Sequence, residues 1–259
     1  MTKTGLYKLF PSLKKGTKAV ISFTGGVDST LLAEVCIDKY GMDHIIFMLM
    51  SYGDTQNFRK DPDKLARVKA DFYNAIKRFG VIHHCELTDD DVSPYKSPAK
   101  LVRTKVVNTF GCEPGPVFGG WSVIQHEFVQ LLQDCNYEFD GMTKEQIIEF
   151  VNANRETYPN VVEHLETFGG DMYFIHHVDG FETVRRTFKA TTRPFATLQS
   201  WEIYELYKKL NIVDKLADTV SCNRGDIDPG QHCGVCKNCT ERKSNFEKAG
   251  IEDPTTYLK

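Results

Sequence analysis

The sequence has no uninterrupted apolar run long enough to cross a bilayer as a helix, and Met1-Thr-Lys-Thr-Gly-Leu6 lacks the basic-then-apolar pattern of a secretory leader. A membrane role is therefore not expected, and a cytoplasmic location is. Basic charge is also in short supply: Lys and Arg total 32 against 35 Asp and Glu, for a net charge of −3 and a pI near 6.2. No global field draws such a chain to nucleic acid, so a small-molecule substrate is favoured. Internal repeats and low-complexity tracts are absent. Of eight cysteines, Cys36, Cys85, Cys112 and Cys135 are scattered and the others crowd near the C-terminus. That distribution argues against a disulfide scaffold and for a reducing compartment with one metal site. The rest of the composition is ordinary for a globular protein. With 259 residues, 41% of them hydrophobic and 26% charged, the chain can form one or two domains around a substantial core.

The chain is organised around Ser22-Phe-Thr-Gly-Gly-Val-Asp-Ser-Thr30. Ala19-Val-Ile21 runs into it as a short buried strand, and Leu31 to Tyr40 leaves it with apolar residues at helical spacing. In such a strand, glycine loop and helix, Gly25 and Gly26 let backbone amides approach an anion while the helix start aims its free N–H groups and dipole at it. Thr24 and Ser29 add hydroxyl donors. Asp28 is an acid inside an anion site, which calls for a divalent metal or a well-placed amide to offset its charge. No Lys follows the glycines and the spacing is too short for a Walker A nest, so a β,γ-cleaving NTPase is not expected. A plain strand-to-helix turn is the competing reading.

Thr24-Gly-Gly-Val-Asp-Ser29 resembles the SGGxDS signature of PP-loop ATP pyrophosphatases, with Thr in place of the first Ser. The resemblance implies ATP held by Ser22, Thr24, Gly25, Gly26, Val27, Asp28, Ser29 and Thr30, with Asp28 and Ser29 nearest the chemistry. A substrate oxygen would attack the α-phosphate, giving an adenylate and pyrophosphate.

Downstream, Asp43 to Met50 is a second apolar run, ending in Ser51-Tyr-Gly-Asp54 at the carboxyl edge of the sheet, where open α/β folds bind ligands. Pro62 to Phe79 reads as an amphipathic helix stopped by Gly80, and Val81 to Leu87 as a third strand. This alternation predicts an α/β fold with a doubly wound, mainly parallel sheet. From Thr88 a polar loop is expected, whose Lys100, Arg103 and Lys105 read as a solvated charged face more readily than as a phosphate-seeking arm. Gly111 to Gly120 is rich in glycine and proline. Trp121 to Thr167 reads as helical, with helices at Ser122 to Leu132, after the capping box Thr143-Lys-Glu-Gln146, and at Asn160 to Phe168. Asp171 to Val178 returns to strand character. The pairs His83-His84 and His176-His177 fit packing better than metal ligation, because strand neighbours point to opposite faces. Thr191 to Leu198 is extended, and Ser200 is expected to cap a helix running through Leu210.

Near the C-terminus, Cys222, Cys233, Cys236 and Cys239 form the second strong signal. Two-residue spacings let thiolates curl around one ion, Gly234 eases the turn, and Cys222 supplies the remaining corner of a tetrahedral zinc site. A ferredoxin-type iron–sulfur motif competes, but Lys243 stands where its last cysteine belongs. A cysteine nucleophile, leaving the metal three ligands, is the minor alternative. With four protein ligands the ion has no open position, so its role is expected to be structural.

Loop and cysteine cluster together resemble the QueC family of 7-cyano-7-deazaguanine synthases, members of the PP-loop (adenine nucleotide alpha hydrolase-like) superfamily. Tyr52-Gly53 stands where that family has Tyr-Gly-Gln. Arg193-Pro-Phe-Ala-Thr-Leu198 with Glu202-Ile203 resembles its Pro-Leu-x-x-Leu segment and following helix. Ser221-Cys222, Cys233-Gly234, Cys236, Cys239, Arg242, Phe246, Ala249-Gly250 and Asp253-Pro254 match nearly position by position. The resemblance implies a nucleotide-binding domain over residues 1–220 with a helical insertion at about 110–168, and a zinc-binding segment over 221–259 packed on it. It adds Met50 and Tyr52 to the nucleotide-binding set and assigns the second substrate to Phe181, Glu182, Thr183, Arg185 and Arg193.

The implied reactants are ATP with Mg²⁺, a 7-carboxy-7-deazaguanine-type carboxylate and ammonia, with Zn²⁺ structural and the chain a homodimer. An acyl adenylate would give an amide, and a second adenylation a nitrile. Departures fall in the substrate half. Glu182-Thr-Val184 replaces Pro-Asp-Cys, Pro116-Val-Phe-Gly119 lacks the polar residues of a Pro-x-Arg-Asn signature, and Ser200 replaces a lysine. They leave open an amine other than ammonia, including one on a protein partner. tRNA thiolation, sulfate-adenylyl reduction and a non-catalytic, zinc-stabilised nucleotide-binding module are the other readings.

Overall fold

Ala19, Val20 and Ile21 carry no polar side-chain atom, and each has 0% of its surface exposed at the centre of strand β1 (Lys18–Ser22). A strand buried on both faces suits the middle of a parallel sheet. In the computed structural model, which describes residues 3–52, 73, 77–87, 98–120, 144–159, 161–162, 192–195, 198–222, 224, 227–228 and 230–258, this is where β1 lies. On one side it pairs with β2 (Ile45–Tyr52), which pairs in turn with β3 (His83–Leu87); on the other it pairs with β4 (Pro114–Gly119). All three pairings are parallel, in the order β3-β2-β1-β4.

The period-two alternation of the strands divides the core into two layers. Val20, Ile46, Met48 and Val117 point to one face, where Val106 of helix α3 (Pro98–Phe110) covers them. Ala19, Ile21, Ile45, Phe47 and Phe118 point to the other and pack against helices α2 (Val27–Tyr40) and α5 (Ser200–Lys209). Both faces are therefore covered, as the doubly wound expectation requires. Further helices among the described residues are α1 (Lys3–Tyr7), α4 (Lys144–Ala153) and α6 (Lys237–Ala249). Among the described residues no helix is long and apolar enough to cross a membrane.

Strand order places the ligand crevice. The chain steps outward from β1 to β2 to β3 and then returns to the opposite side of β1 as β4. Connections leave β1 and β4 in different directions, which opens a gap at their carboxyl ends. The residues at that gap are Phe23 to Gly26 after β1, and Gly120 after β4.

Two elements differ from expectation. Residues 98–110 are helix α3 and not a loop: Pro98 takes the first helical position, where its missing N–H is not needed. Arg103 and Lys105 are exposed on it, as a solvated charged face would be. Residues 114–119, at the head of the expected helical insertion, form β4. Pro114, Gly115 and Pro116 hid it, because proline donates no ladder hydrogen bond and is tolerated where pairing is irregular. The register does shift there, between the pairs Lys18 with Pro114 and Val20 with Val117.

Helix α5 is capped by Gln199 and not by Ser200, with the Gln199 backbone N–H donating to the Glu202 carboxylate at 2.7 Å. Several expectations lie outside the described residues: most of the Pro62–Phe79 and Asn160–Phe168 helices, Ser122–Leu132, and the strand at Asp171–Val178 with its His176-His177 pair.

Fully buried Tyr207 of α5 donates its hydroxyl to the Val27 carbonyl at 2.7 Å, fixing the first turn of α2 where the loop enters it. Burial holds this phenol well above its ordinary pKa, so it remains a donor. Tyr207→Phe keeps the ring and removes the bond. A loss of about 1 kcal/mol is expected in urea unfolding, since a typical net hydrogen bond is of that size.

Candidate functional site

Gly25 adopts φ +73°, a left-handed conformation that glycine takes without strain, and this turns the chain from β1 into the loop. Gly26 is the N-cap of α2. The loop is laced to itself by Ser29, whose Oγ accepts the Thr24 N–H at 3.2 Å, contacts Thr24 Oγ1 at 3.1 Å and donates to the Gly26 carbonyl at 3.1 Å. Two further bonds fix its place: Phe23 N–H to the Met48 carbonyl at 3.0 Å, and Val220 N–H to the Gly25 carbonyl at 3.0 Å. The first ties it to the sheet and the second to the C-terminal part of the chain.

A cavity of about 440 Å³ opens beside this loop. One wall is Thr24, Gly26, Val27, Asp28 and Ser29, with Gly120 against it. A Cβ at Gly120 would stand 2.9 Å from the Asp28 carbonyl carbon and from Ser29 N, so only glycine lets the chain leaving β4 lie so close to the start of α2. The far wall comes from α5, the segment after it, and α6. It comprises Ser200 and Tyr204, then Val220 and Ser221, then Asn238, Glu241, Arg242 and Asn245. The lining is mostly polar, with an α2 N-terminus among it, and this suits a phosphorylated or otherwise anionic ligand. Burial raises the Tyr204 pKa, so its hydroxyl stays neutral there.

The sulfur atoms of Cys222, Cys233, Cys236 and Cys239 lie within 4.8 Å of one another, with Cys233 to Cys239 and Cys222 to Cys236 each at 3.9 Å. Sulfurs on a tetrahedron with metal–sulfur bonds of about 2.3 Å are separated by about 3.8 Å, so the four thiols fit one ion. Burial raises the thiols of Cys222 and Cys239. At Cys233 burial acts the same way, but the backbone N–H groups of Val235 and Cys236 and the neighbouring thiols outweigh it and lower the pKa. Gly234, at φ +76°, makes the turn between Cys233 and Cys236; a Cβ there would lie 3.1 Å from that of Tyr257. The buried His232 ring accepts the Ser221 N–H on Nε2 at 3.2 Å and is therefore neutral, with its proton on Nδ1. Its carbonyl accepts the Leu258 N–H at 2.8 Å, which folds the tail over the cluster.

The geometry sorts the residues singled out in the sequence. Thr24, Gly26, Val27, Asp28 and Ser29 share one cavity wall. Ser22 ends β1, Gly25 is buried beneath the loop, and Thr30 is buried one turn into α2, its N–H bonded to the Gly26 carbonyl at 3.0 Å. Met50 and Tyr52 occupy the carboxyl-terminal half of β2, paired with Cys85 and Leu87. Half-buried Arg193 follows the bridge of Thr192 to Phe118 of β4, and burial opposes its charge. Phe181, Glu182, Thr183 and Arg185 lie outside the described residues.

Sequence reasoning missed the α6 side of the cavity, although Asn238, Glu241, Arg242 and Asn245 fall at the i, i+3, i+4, i+7 spacing of one helix face. That regularity was the available signal.

Because α6 begins at one of the four clustered thiols and carries the far wall, chelation is expected to disturb the cavity as well as the cluster. One metal ion per chain is expected to be released on thiol modification. The metal-free protein should lose stability on the order of several kcal/mol in denaturant unfolding, and Cys236→Ser should behave likewise.

Residues 141–250 match the family model described as Queuosine biosynthesis protein QueC. Two curated 7-cyano-7-deazaguanine synthases illustrate the relationship. That of Methanococcus maripaludis strain C7 is 30% identical over 46% of this chain and 46% of its own length. That of Methanopyrus kandleri is 24% identical over 92% of this chain and 98% of its own length. The chain thus spans about half the length of the Methanococcus maripaludis relatives it matches, at 46% to 49%. Among solved structures, a U34-tRNA thiolase, NcsA, from Methanococcus maripaludis with its [4Fe-4S] cluster covers 95% of this chain and 72% of its own. The identity to it is 14% and the TM-score 0.38. The family model takes in the whole far wall of the cavity and all four clustered cysteines, and the Methanopyrus relative aligns over nearly its full length: it is to the QueC proteins that the chain is similar.

Proposed function

We propose that the protein uses ATP to adenylate a 7-carboxy-7-deazaguanine-type carboxylate, releasing pyrophosphate, and passes the activated acyl group to ammonia. The observation that carries this reading is the polar cavity between the Thr24–Ser29 loop and α6, in a chain whose relatives are named 7-cyano-7-deazaguanine synthases. A carboxylate is a poor acyl donor until AMP becomes its leaving group. One carboxylate oxygen attacks the α-phosphorus of ATP and the bond to the β-phosphate oxygen breaks. Ammonia then attacks the acyl carbon, AMP departs with the electron pair, and a proton is lost to leave the amide. Adenylation of the amide oxygen and loss of the two N–H protons with AMP gives the nitrile.

This chain's contribution to that reaction is placement and charge balance. The loop amides and the hydroxyls of Thr24 and Ser29 would cradle the phosphates. Asp28, at the same wall, would hold Mg²⁺, which supplies the positive charge that the departing pyrophosphate needs. The four cysteines would hold Zn²⁺, because their sulfur spacing suits one tetrahedral ion. Zinc would have no open position and take no part in the chemistry. Ser22, Gly25, Thr30, Met50 and Tyr52 would complete the nucleotide site, and Phe181, Glu182, Thr183, Arg185 and Arg193 the substrate site.

A second reading rests on Glu182-Thr-Val184, which departs from the Pro-Asp-Cys expected of the family. It keeps the adenylation and gives the acyl group to another amine, such as one on a protein partner.

The test is pyrophosphate and AMP release from Mg-ATP with 7-carboxy-7-deazaguanine, with and without ammonium. Release with a nitrile product is expected, and Asp28→Asn should slow it by about a hundredfold or more, in the range seen when one electrostatic contact is lost. Pyrophosphate release without nitrile would favour the second reading. No release from folded, metal-loaded protein would overturn both.

A further inference from the structure

The polar stripe of α6 is not explained by the metal cluster. Asn238, Glu241, Arg242 and Asn245 occupy one side of the helix and all line the cavity, opposite Asp28 and Ser29. At this spacing a helix that closes a core carries apolar residues, as α6 does further along the same side with Phe246 and Ala249, whereas toward its start the stripe is polar. Amides and a carboxylate over a cavity make a surface that recognises a ligand.

Within the stripe, Arg242 and Glu241 differ. Arg242 is buried and its guanidinium is bonded to the protein. Glu241 keeps 49% of its side chain accessible, and Lys237, one turn back, is 3.8 Å away and itself 40% accessible. Such a pair is solvent-screened and weak. A carboxylate is purely an acceptor, and its two oxygens match two adjacent N–H donors. A 2-aminopyrimidinone ring, the guanine-type edge, presents that pair as a ring N–H beside an exocyclic amino group. Adenine presents an amino group beside a bare ring nitrogen, whose lone pair would face the second carboxylate oxygen.

Resting on the function proposed above, we infer that Glu241 binds the 2-aminopyrimidinone edge of the deazaguanine-type substrate. Asn238 and Asn245 flank it as donors to the ring carbonyl. Helix α6 thereby selects the ring while the loop holds the phosphates, and Glu241 is a specificity-determining residue.

The experiment is equilibrium binding to the metal-loaded full chain, in the presence of Mg²⁺ and a non-hydrolysable ATP analogue. The probes are 7-carboxy-7-deazaguanine and the same compound lacking the exocyclic amino group; the ATP analogue is also titrated alone. Wild type should prefer the amino-bearing compound by about tenfold or more, as a site built to pair a donor rejects the ligand lacking it. Glu241→Ala and Glu241→Gln should bind both compounds equally and weakly, with unchanged affinity for the ATP analogue. Glu241 is exposed, so both variants should fold, with wild-type metal content as the check. Variants that retain the preference would overturn the inference while leaving the proposed function standing. Variants that lose the ATP analogue instead would also overturn it, placing adenine at α6. Wild type that binds the ATP analogue but neither deazaguanine compound would overturn the proposed function, and this inference with it.

Discussion

A buried cation holds the C-terminal part of the chain together. Arg242 is 1% exposed, and its guanidinium donates to the Leu216 carbonyl at 2.8 Å, Thr219 Oγ1 at 2.8 Å, Ser221 Oγ at 3.3 Å and Thr255 Oγ1 at 2.7 Å. A charge in that setting is tolerable only if its donors are satisfied together. The four acceptors lie on three stretches: the turn Val213–Asp218, the two residues flanking Val220, and the tail beyond α6. Satisfying Arg242 therefore requires all of them to be in place at once. The Phe246 ring, with its centroid 5.1 Å from the guanidinium carbon, closes the remaining side.

Val220 carries this constraint across to the Thr24–Ser29 loop. It lies between two acceptors of Arg242, and its N–H bonds the Gly25 carbonyl. The loop has on its other side Gly120, close against α2 from the end of β4. The cavity is thus a composite of three regions distant in sequence, brought together by a parallel sheet and one helix. Rigidity on the far side of α2 comes from Arg78, which donates to Glu34 at 3.0 Å through Nε and to Asp218 at 3.2 Å through NH1.

Features whose physics is local were readable from the sequence. Ala19-Val-Ile21 is apolar without interruption because both faces of β1 are buried, and the glycines after it mark a turn that few other residues can make. The cysteines announce a cluster because their spacing alone brings the thiols together. Where local and tertiary effects conflict, the sequence misled. Pro114 and Pro116 argue against a strand, yet β4 forms because pairing with β1 and burial of Val117 and Phe118 outweigh them. The charges of α3 drew attention from its buried Val106. Asn238, Glu241 and Asn245 gain their place at the cavity only because the fold sets α6 over the loop.

Cys236 is at once the N-cap of α6 and a member of the thiol cluster, so the helix that closes the cavity begins at a sulfur. Whatever free energy the cluster contributes to ordering that helix also enters the affinity of any ligand lying against it. Linkage of this kind is reciprocal: a ligand that binds better when α6 is ordered must tighten the hold on any ion the thiols bind by the same factor. Filling the cavity and closing the thiol cluster are, in that sense, one equilibrium viewed from its two ends.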